Sequence, residues 1–332
     1  MKKRGVLNTV LGSSFLLLFI LNARTGEGEF SEYSAVDAAN DSLAARIDLG
    51  KRLFYDPILS RDSTHSCASC HLPELAFTDG KTVSEGIRGR KVTRNSPTLT
   101  NVKDRKSFLL DGVNPSLESQ VRVPIQEKNE FDFHPFLIID RMKTRPEYVR
   151  LSRDAYNREP DEYVITHSIA AFERTLVSEN SAYDKYLRGE KGALSESQIR
   201  GKEIFFERLY CSECHSGKNF SNEGLTNNGL YEVYQDTGRM RLTEKEEDRA
   251  IFKVPVLRNV ELTAPYMHDG SKKTLEEVID HYSSGGKPHP NKSPIIQPFE
   301  LTDSEKQDLI NFLKSLTDWD FINNPEHRSP FE

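Results

Sequence analysis

The four cysteines of this 332-residue chain fall in two pentapeptides, Cys67-Ala68-Ser69-Cys70-His71 and Cys211-Ser212-Glu213-Cys214-His215, set 144 residues apart. The pattern C-x-x-C-H is the attachment signature of c-type haem. Thiols at that spacing can add to the two vinyl groups of one porphyrin, and the imidazole that follows then lies beneath the iron as its proximal ligand. Two other chemistries use paired cysteines. A zinc site would need both pairs to converge on one metal, although each pair carries its own histidine; a thioredoxin-like redox motif has no need of that histidine. Two covalently bound haems c use every cysteine and leave none over. Cys67, Cys70, His71, Cys211, Cys214 and His215 are therefore the candidate cofactor-binding residues, with His71 and His215 as iron ligands.

The segments that position these motifs are themselves repeated. Gly50-Lys51-Arg52-Leu53-Phe54 leads into the first motif and Gly201-Lys202-Glu203-Ile204-Phe205 into the second. Downstream, Pro97-Thr98-Leu99-Thr100-Asn101-Val102 matches Pro255-Val256-Leu257-Arg258-Asn259-Val260, Asp111-Gly112 matches Asp269-Gly270, and Ser116-Leu117-Glu118 matches Thr274-Leu275-Glu276. All three pairs share one offset of 158 residues, so the chain reads as two copies of one haem domain.

Helical signals dominate the rest. Leu43, Ala44, Ile47, Leu49, Leu53 and Phe54 recur at helical spacing from about Asp41 until Asp56-Pro57 stops the run; residues 24–40 read as a polar leader. Tyr163, Ile165, Ile169, Ala170, Phe172 and Leu176 predict a second amphipathic helix, and Gly189 to Gly192 a link. Capping boxes at Ser195 with Gln198 and at Thr302 with Glu305 start two more, the last burying Leu309, Ile310, Phe312, Leu313 and Leu316. No long alternating runs suggest strands. The fold class expected is mainly α, two c-type cytochrome domains with long loops around the haems.

At 36% hydrophobic residues the chain can build two modest cores, and a net charge of −6 gives no reason to expect a nucleic-acid partner. The basic start Met1-Lys2-Lys3-Arg4, an apolar run from Val10 to Leu21 and the small residues around Asn22-Ala23 read as a secretory signal peptide over residues 1–23. The alternative is an uncleaved membrane anchor, for which the apolar stretch is short. Cleavage would remove three basic residues and no acid, leaving a more acidic mature chain that suits a basic electron donor. Export agrees with the haem motifs, since haem is attached to C-x-x-C-H outside the bacterial cytoplasm.

Longer motifs now carry a family resemblance. Gly50-Lys51-Arg52-Leu53-Phe54-Tyr55-Asp56-Pro57, Ser66-Cys67-Ala68-Ser69-Cys70-His71, Arg94-Asn95-Ser96-Pro97-Thr98 and Leu257-Arg258-Asn259-Val260-Glu261-Leu262-Thr263-Ala264-Pro265-Tyr266-Met267-His268-Asp269-Gly270 together resemble the bacterial dihaem cytochrome c peroxidase family, which includes MauG. The resemblance spans nearly the whole mature chain. It implies a peroxidatic haem on the N-terminal domain (24–190) and an electron-transfer haem on the C-terminal domain (191–332). It also implies a Ca²⁺ between them, held by the Asn95 side chain and the Thr263 and Pro265 carbonyls, a hard-oxygen set. Glu130, with Gln120 beside it, maps to the acid–base group that moves the peroxide protons. The implied substrate is hydrogen peroxide, the implied donor a small cytochrome c or cupredoxin, the implied assembly a homodimer and the implied compartment the periplasm.

Three positions depart from the family pattern. Ile87 stands where enzymes that need reductive activation carry a distal histidine, which implies a first haem open to peroxide without a ligand to displace. Tyr282 replaces the distal Met of the second haem, as in MauG; Met267 sits in the wrong part of the motif to serve. An anionic tyrosine would stabilise ferric and higher states, where methionine would raise the potential. Leu110 replaces the Trp expected between the haems, and the single tryptophan, Trp319, is far off near the C-terminus. His268 aligns with Leu110 through the internal repeat. Three functions compete: peroxide reduction with electrons from a small redox protein, MauG-like oxidation of Trp or Tyr side chains on a partner protein, and non-catalytic electron carriage. Glu130 and Ile87 weigh against the carrier; Tyr282 favours the second function and Leu110 weakens it.

Overall fold

The computed structural model describes residues 35–331, so the expected signal peptide at 1–23 lies outside it. The chain is mainly α-helical. Its helices are α1 (Ala35–Tyr55), α2 (Leu117–Gln126), α3 (Pro135–Lys143), α4 (Pro146–Tyr156), α5 (Glu162–Glu173), α6 (Ala182–Leu187), α7 (Glu196–Glu203), α8 (Met240–Thr243), α9 (Leu275–Ser283), α10 (Asp303–Lys314) and α11 (Trp319–Ile322). Among the described residues the only strands are β1 (Leu225–Thr226) and β2 (Phe252–Lys253), paired antiparallel. Among those same residues, no helix is long and apolar enough to cross a membrane.

Two cytochrome-c-type halves are built on the same helix crossing. In the first, α1 packs on α5 and buries Leu49, Leu53 and Phe54 against Ile169 and Phe172. In the second, α7 and the π-turn Ile204–Arg208 that continues it pack on α10, burying Ile204 and Phe205 against Leu309, Phe312 and Leu316. Each crossing is close because a glycine sits at it. A Cβ on Gly50 would stand 1.8 Å from Ser168 O, and one on Gly201 would stand 2.0 Å from Asp308 O. The neighbours Phe172 and Phe312 are likewise equivalent, at 3.1 and 2.8 Å. The repeated Gly-Lys lead-in is thus a packing requirement.

Helix starts follow the expected caps. Ser195 with Gln198 and Thr302 with Glu305 form complete capping boxes, and Asp161 accepts from Val164 N at 2.8 Å to open α5. α1 stops at Asp56-Pro57, where the Asp56 carboxylate accepts from Ile58 N at 2.7 Å. It begins at Ala35, earlier than the apolar pattern suggests, because Ala35, Ala38 and Ala39 are strong helix formers. The polar leader is therefore partly helix.

The offset of 158 residues reappears in the backbone. Asn101 and Asn259 are both left-handed, with φ of 54° and 60°, and each precedes a single 3₁₀ turn. The bridges Phe108 to Asn114 and Tyr266 to Lys272 correspond, as do the Ser116 cap of α2 and the Thr274 cap of α9. The halves are joined by polar contacts. Asp111, with no exposed surface, accepts from Arg94 at 2.7 Å in its own half and from Arg241 Nε at 2.6 Å in the other. Arg94 also holds Asp236 at 2.6 and 2.9 Å, and Asn101 Nδ2 donates to Asn219 Oδ1 at 2.8 Å.

The C-terminal tail crosses back. Phe321 of α11 joins the first core, its ring 5.8 Å from that of Phe77, and His327 packs 5.5 Å from the same ring. Tyr55 donates to His327 O, tying the tail to α1.

Replacing Gly201 by Ala should destabilise the haem-loaded protein by about 3 kcal/mol, the upper end of overpacking costs, because the methyl meets backbone. The helix-propensity gain of about 1 kcal/mol acts the other way and is smaller. Urea unfolding decides it, and a stabilised variant would contradict the close crossing.

Candidate functional site

Each C-x-x-C-H motif forms a single 3₁₀ turn, Cys67–Ser69 or Cys211–Glu213, closed by a bond from the histidine N to the first cysteine O at 3.1 and 2.9 Å. That turn sets both thiols and the imidazole on one small patch. His71 Nδ1 donates to Phe77 O at 2.8 Å, and His215 Nδ1 donates to Phe220 O at 3.0 Å. With Nδ1 occupied, Nε2 is the nitrogen left to face a metal, and burial holds both imidazole pKa values below the ordinary value. The four cysteines are free thiols. Burial pushes Cys70 and Cys211 up to about 11 and raises Cys67 and Cys214 as well, the opposite of the depressed thiol that a redox motif needs. Among the described residues no three His, Cys, Asp or Glu side chains gather as a metal site, so the two cysteine pairs do not meet on one zinc. Thiol pair, oriented imidazole and half-buried setting fit one covalent haem per motif.

Above the first motif the loop 84–90 lies against the segment after α2. Ile87 N donates to Glu130 O at 3.0 Å, and a Cβ on Gly86 would stand 2.1 Å from Asn129 O, so only glycine admits this approach. Ile87 is fully buried and offers no ligating atom. Glu130 is the one expected catalytic residue whose environment is marked: its pKa is pushed up to about 7 by burial, with the charge of Glu127 adding to the effect. Its charge is felt at both Cys67 and Cys70, which places the carboxyl near the first motif. Gln120 lies on α2, where Pro124 supplies no N–H for the Gln120 carbonyl, and Phe131 N donates to Pro124 O at 3.1 Å, joining α2 to the Glu130 segment.

Through the internal repeat Pro124 corresponds to Tyr282 on α9. A residue with no donor atom therefore occupies the first half where a phenol occupies the second. Tyr282 bonds the Asn228 side chain, and burial raises its pKa above the ordinary tyrosine value. Asn228 Nδ2 also points at Met267 Sδ, 3.2 Å away, and Asn228 Oδ1 is 3.4 Å from the Tyr234 hydroxyl. Met267, set aside on its sequence position, thus lines the same pocket as Tyr282.

Between the halves, Leu110 is half-buried and its carbonyl accepts from Lys253 N at 2.7 Å. His268 stacks on Phe252, ring centroids 4.2 Å apart, and the Arg94 guanidinium lies over the Phe252 ring, 5.6 Å from its centroid. Trp319 is solvent-exposed at the start of α11. Asn95 meets the second half through its backbone, N donating to His268 O at 2.8 Å, and its side-chain nitrogen donates to Lys81 O at 2.8 Å. Thr263 and Pro265 belong to the turn that runs into His268. Four residues near this region escape sequence reasoning. Glu173, only 4% exposed, has an oxygen without a protein partner, its pKa is pushed up to about 8 by burial, and its charge reaches Cys67. Arg105, pushed down to about 10 by burial, donates to the Thr98 and Thr100 carbonyls at 2.7 and 2.9 Å. Asp236 and Arg241 complete the inter-half clamp. No local motif marks any of the four.

Comparison with known proteins agrees with this geometry. The family model described as di-haem cytochrome c peroxidase matches residues 44–192, and that described as cytochrome c matches residues 198–317. The methylamine utilization protein MauG of Methylorubrum extorquens is 36% identical over 84% of this chain and 80% of its own length. The cytochrome c551 peroxidase of Nitrosomonas europaea is 32% identical over 94% and 90%. A solved MauG-like protein associated with microbial copper homeostasis superposes with a TM-score of 0.82 at 35% identity, over 87% of this chain and 93% of that one.

Infrared difference spectra of ¹³C-glutamate protein, wild type minus Glu130→Gln, should show a carboxyl that titrates at about 7. Glu127→Gln should lower that midpoint only slightly, since burial is the larger cause. A midpoint in the ordinary carboxylate range would place Glu130 in solvent.

Proposed function

This chain belongs to the di-haem cytochrome c peroxidase family that includes MauG, and from that membership we propose that it reduces hydrogen peroxide to water at its N-terminal haem with electrons from a small redox protein. The observation that carries the reading is Glu130: a carboxyl near the first haem motif, its pKa pushed up to about 7, in a segment bonded both to the loop that carries Ile87 and to α2 at Pro124. The division at about residue 190 into one haem domain per motif is part of the reading, supported by the two helix crossings and the two profile matches.

Haem, when bound through Cys67, Cys70 and His71, supplies the iron at which peroxide is reduced. The protein supplies proton handling and access. Ionised Glu130 takes a proton from the near oxygen of peroxide and returns it to the far oxygen as the bond breaks, so that water is the leaving group. A base poised near neutral pH is efficient at both halves of that transfer. Gln120, on α2, orients the peroxide by hydrogen bonding. His71, held through Phe77 O, and His215, held through Phe220 O, have Nε2 left over and would be the residues to hold the two irons. Tyr282 would be the residue to ligate the iron of a second haem, and Ile87, which has no donor atom, would leave that of the first free for peroxide before any reduction.

Asn95, Thr263 and Pro265 would hold a calcium ion where the halves meet, supported by the backbone bond from Asn95 to His268. The apolar N-terminal run supports export to the periplasm, where a small cytochrome c or cupredoxin would serve as donor and a homodimer is the expected assembly. One observation favours a second reading, in which peroxide is used to oxidise a Trp or Tyr side chain on a partner protein. Tyr282, partly buried and bonded to the Asn228 side chain, stands at the position where a methionine would be the alternative ligand.

Ferric, haem-loaded protein mixed with one equivalent of peroxide should react without prior reduction, and a reduced small cytochrome should discharge the product over many turnovers. The rate should rise with pH through about 7 and level off above, since Glu130 acts as its anion. Glu130→Gln should lower the rate by roughly 10²–10⁴-fold and flatten the profile. Stopped-flow absorbance reads both, and an oxidised state that ignores the donor for minutes would favour the second reading. Calorimetry should find one calcium per chain, lost in Asn95→Ala.

A further inference from the structure

Tyr282 is the first member of a line of hydroxyl-bearing rings that reaches the surface. Asn228 bonds Tyr282 and stands 3.4 Å from the hydroxyl of Tyr234. Tyr234 is buried, and its ring lies 5.5 Å from that of Tyr231. Tyr231 is 37% exposed and forms one wall of an open cleft of about 530 Å³ whose other walls include Val233, Lys272 and Lys287.

The two tyrosines differ in what would receive their proton. The Tyr234 hydroxyl accepts from Leu230 N at 2.7 Å and has only the amide oxygens of Asn227 and Asn228 within reach, at 3.3 and 3.4 Å. Amide oxygens are feeble bases. The Tyr231 hydroxyl donates to the carboxylate Oδ2 of Asp269 at 2.7 Å. A phenol that loses an electron becomes a strong acid, so the hole settles where a carboxylate waits for the proton.

We propose that Tyr231 is a surface redox site, linked through Tyr234 and Asn228 to the second haem, at which the oxidising equivalents of peroxide meet an external reductant. The inference rests on the peroxidase reading. In each one-electron step Tyr231 gives one electron to the peroxide-oxidised centre and its phenolic proton passes to Asp269 Oδ2, leaving a neutral tyrosyl radical beside a neutral carboxylic acid. A one-electron donor at the cleft then reduces the radical, and Asp269 returns the proton. Two such steps consume one peroxide. Leu110 gives this route its importance, because no easily oxidised ring stands between the halves at that position.

The test mixes haem-loaded full-length protein with one equivalent of peroxide and the spin trap 2-methyl-2-nitrosopropane, records the haem absorbance, and maps trap adducts by peptide mass spectrometry. The expected result is an adduct on Tyr231, absent in Tyr231→Phe and reduced several-fold in Asp269→Asn, whose phenol loses its base. A haem spectrum that responds to peroxide while adducts fall elsewhere, or nowhere, overturns this inference alone. A haem spectrum that does not respond overturns the peroxidase reading and this inference with it.

Discussion

A single buried carboxylate, that of Asp111, fixes how the two halves of the molecule meet. A charge with no access to water must be matched by partners at close range, or it costs several kcal/mol. Arg94 provides one partner from the same half and Arg241 another from the opposite half, while Arg239 donates to the Asp111 carbonyl at 3.1 Å. Arg94 is shared in turn with Asp236. No hydrophobic surface could be so exacting about angle: apolar faces tolerate sliding, whereas three guanidiniums around one aspartate do not. With the Asn101–Asn219 bond and the returning tail, this polar joint holds the two haem motifs in place relative to each other.

Much of this was legible in the sequence, for reasons that can be located. C-x-x-C-H is legible because thioether attachment needs that spacing, and the repeated Gly-Lys lead-in because a helix crossing admits no Cβ. The capping boxes at Ser195 and Thr302 are legible because they satisfy orphan amides within four residues. Contacts between distant segments were not. Asp236 lies in a loop and Arg241 in the one-turn helix α8, a stretch whose composition suggests only solvated surface, and their partners are more than a hundred residues away. Glu173 reads as the last polar residue of an amphipathic helix, and its burial appears only when α1, α2 and α5 are assembled. Met267 was judged by its place in a motif, but the left-handed backbone at that residue, φ 77°, carries its side chain into the Tyr282 pocket. α1 starts six residues before the apolar pattern does, because alanines favour helix whether or not they fall on an apolar stripe.

The repeat also shows how two like scaffolds acquire unlike chemistry. α2 and α9 share cap, register and backbone bridges, yet one carries Pro124 where the other carries Tyr282. A single position on a duplicated helix separates a half with no donor from a half with a phenol, and the proline leaves the Gln120 carbonyl without its helical N–H. The loop bearing Ile87 completes the difference by filling its space with hydrocarbon. Tyr282 and Asn228 continue the second half's polarity outward, to Tyr234 and the Asp269-bound Tyr231.

The returning tail gives the two halves a second mechanical link. Phe77 presents its carbonyl to His71 and its ring to Phe321 and His327, so the support of the first proximal imidazole includes residues that follow α10 of the second half. A shift of α10 thus reaches the underside of the first haem motif by a path that bypasses Asp111 altogether.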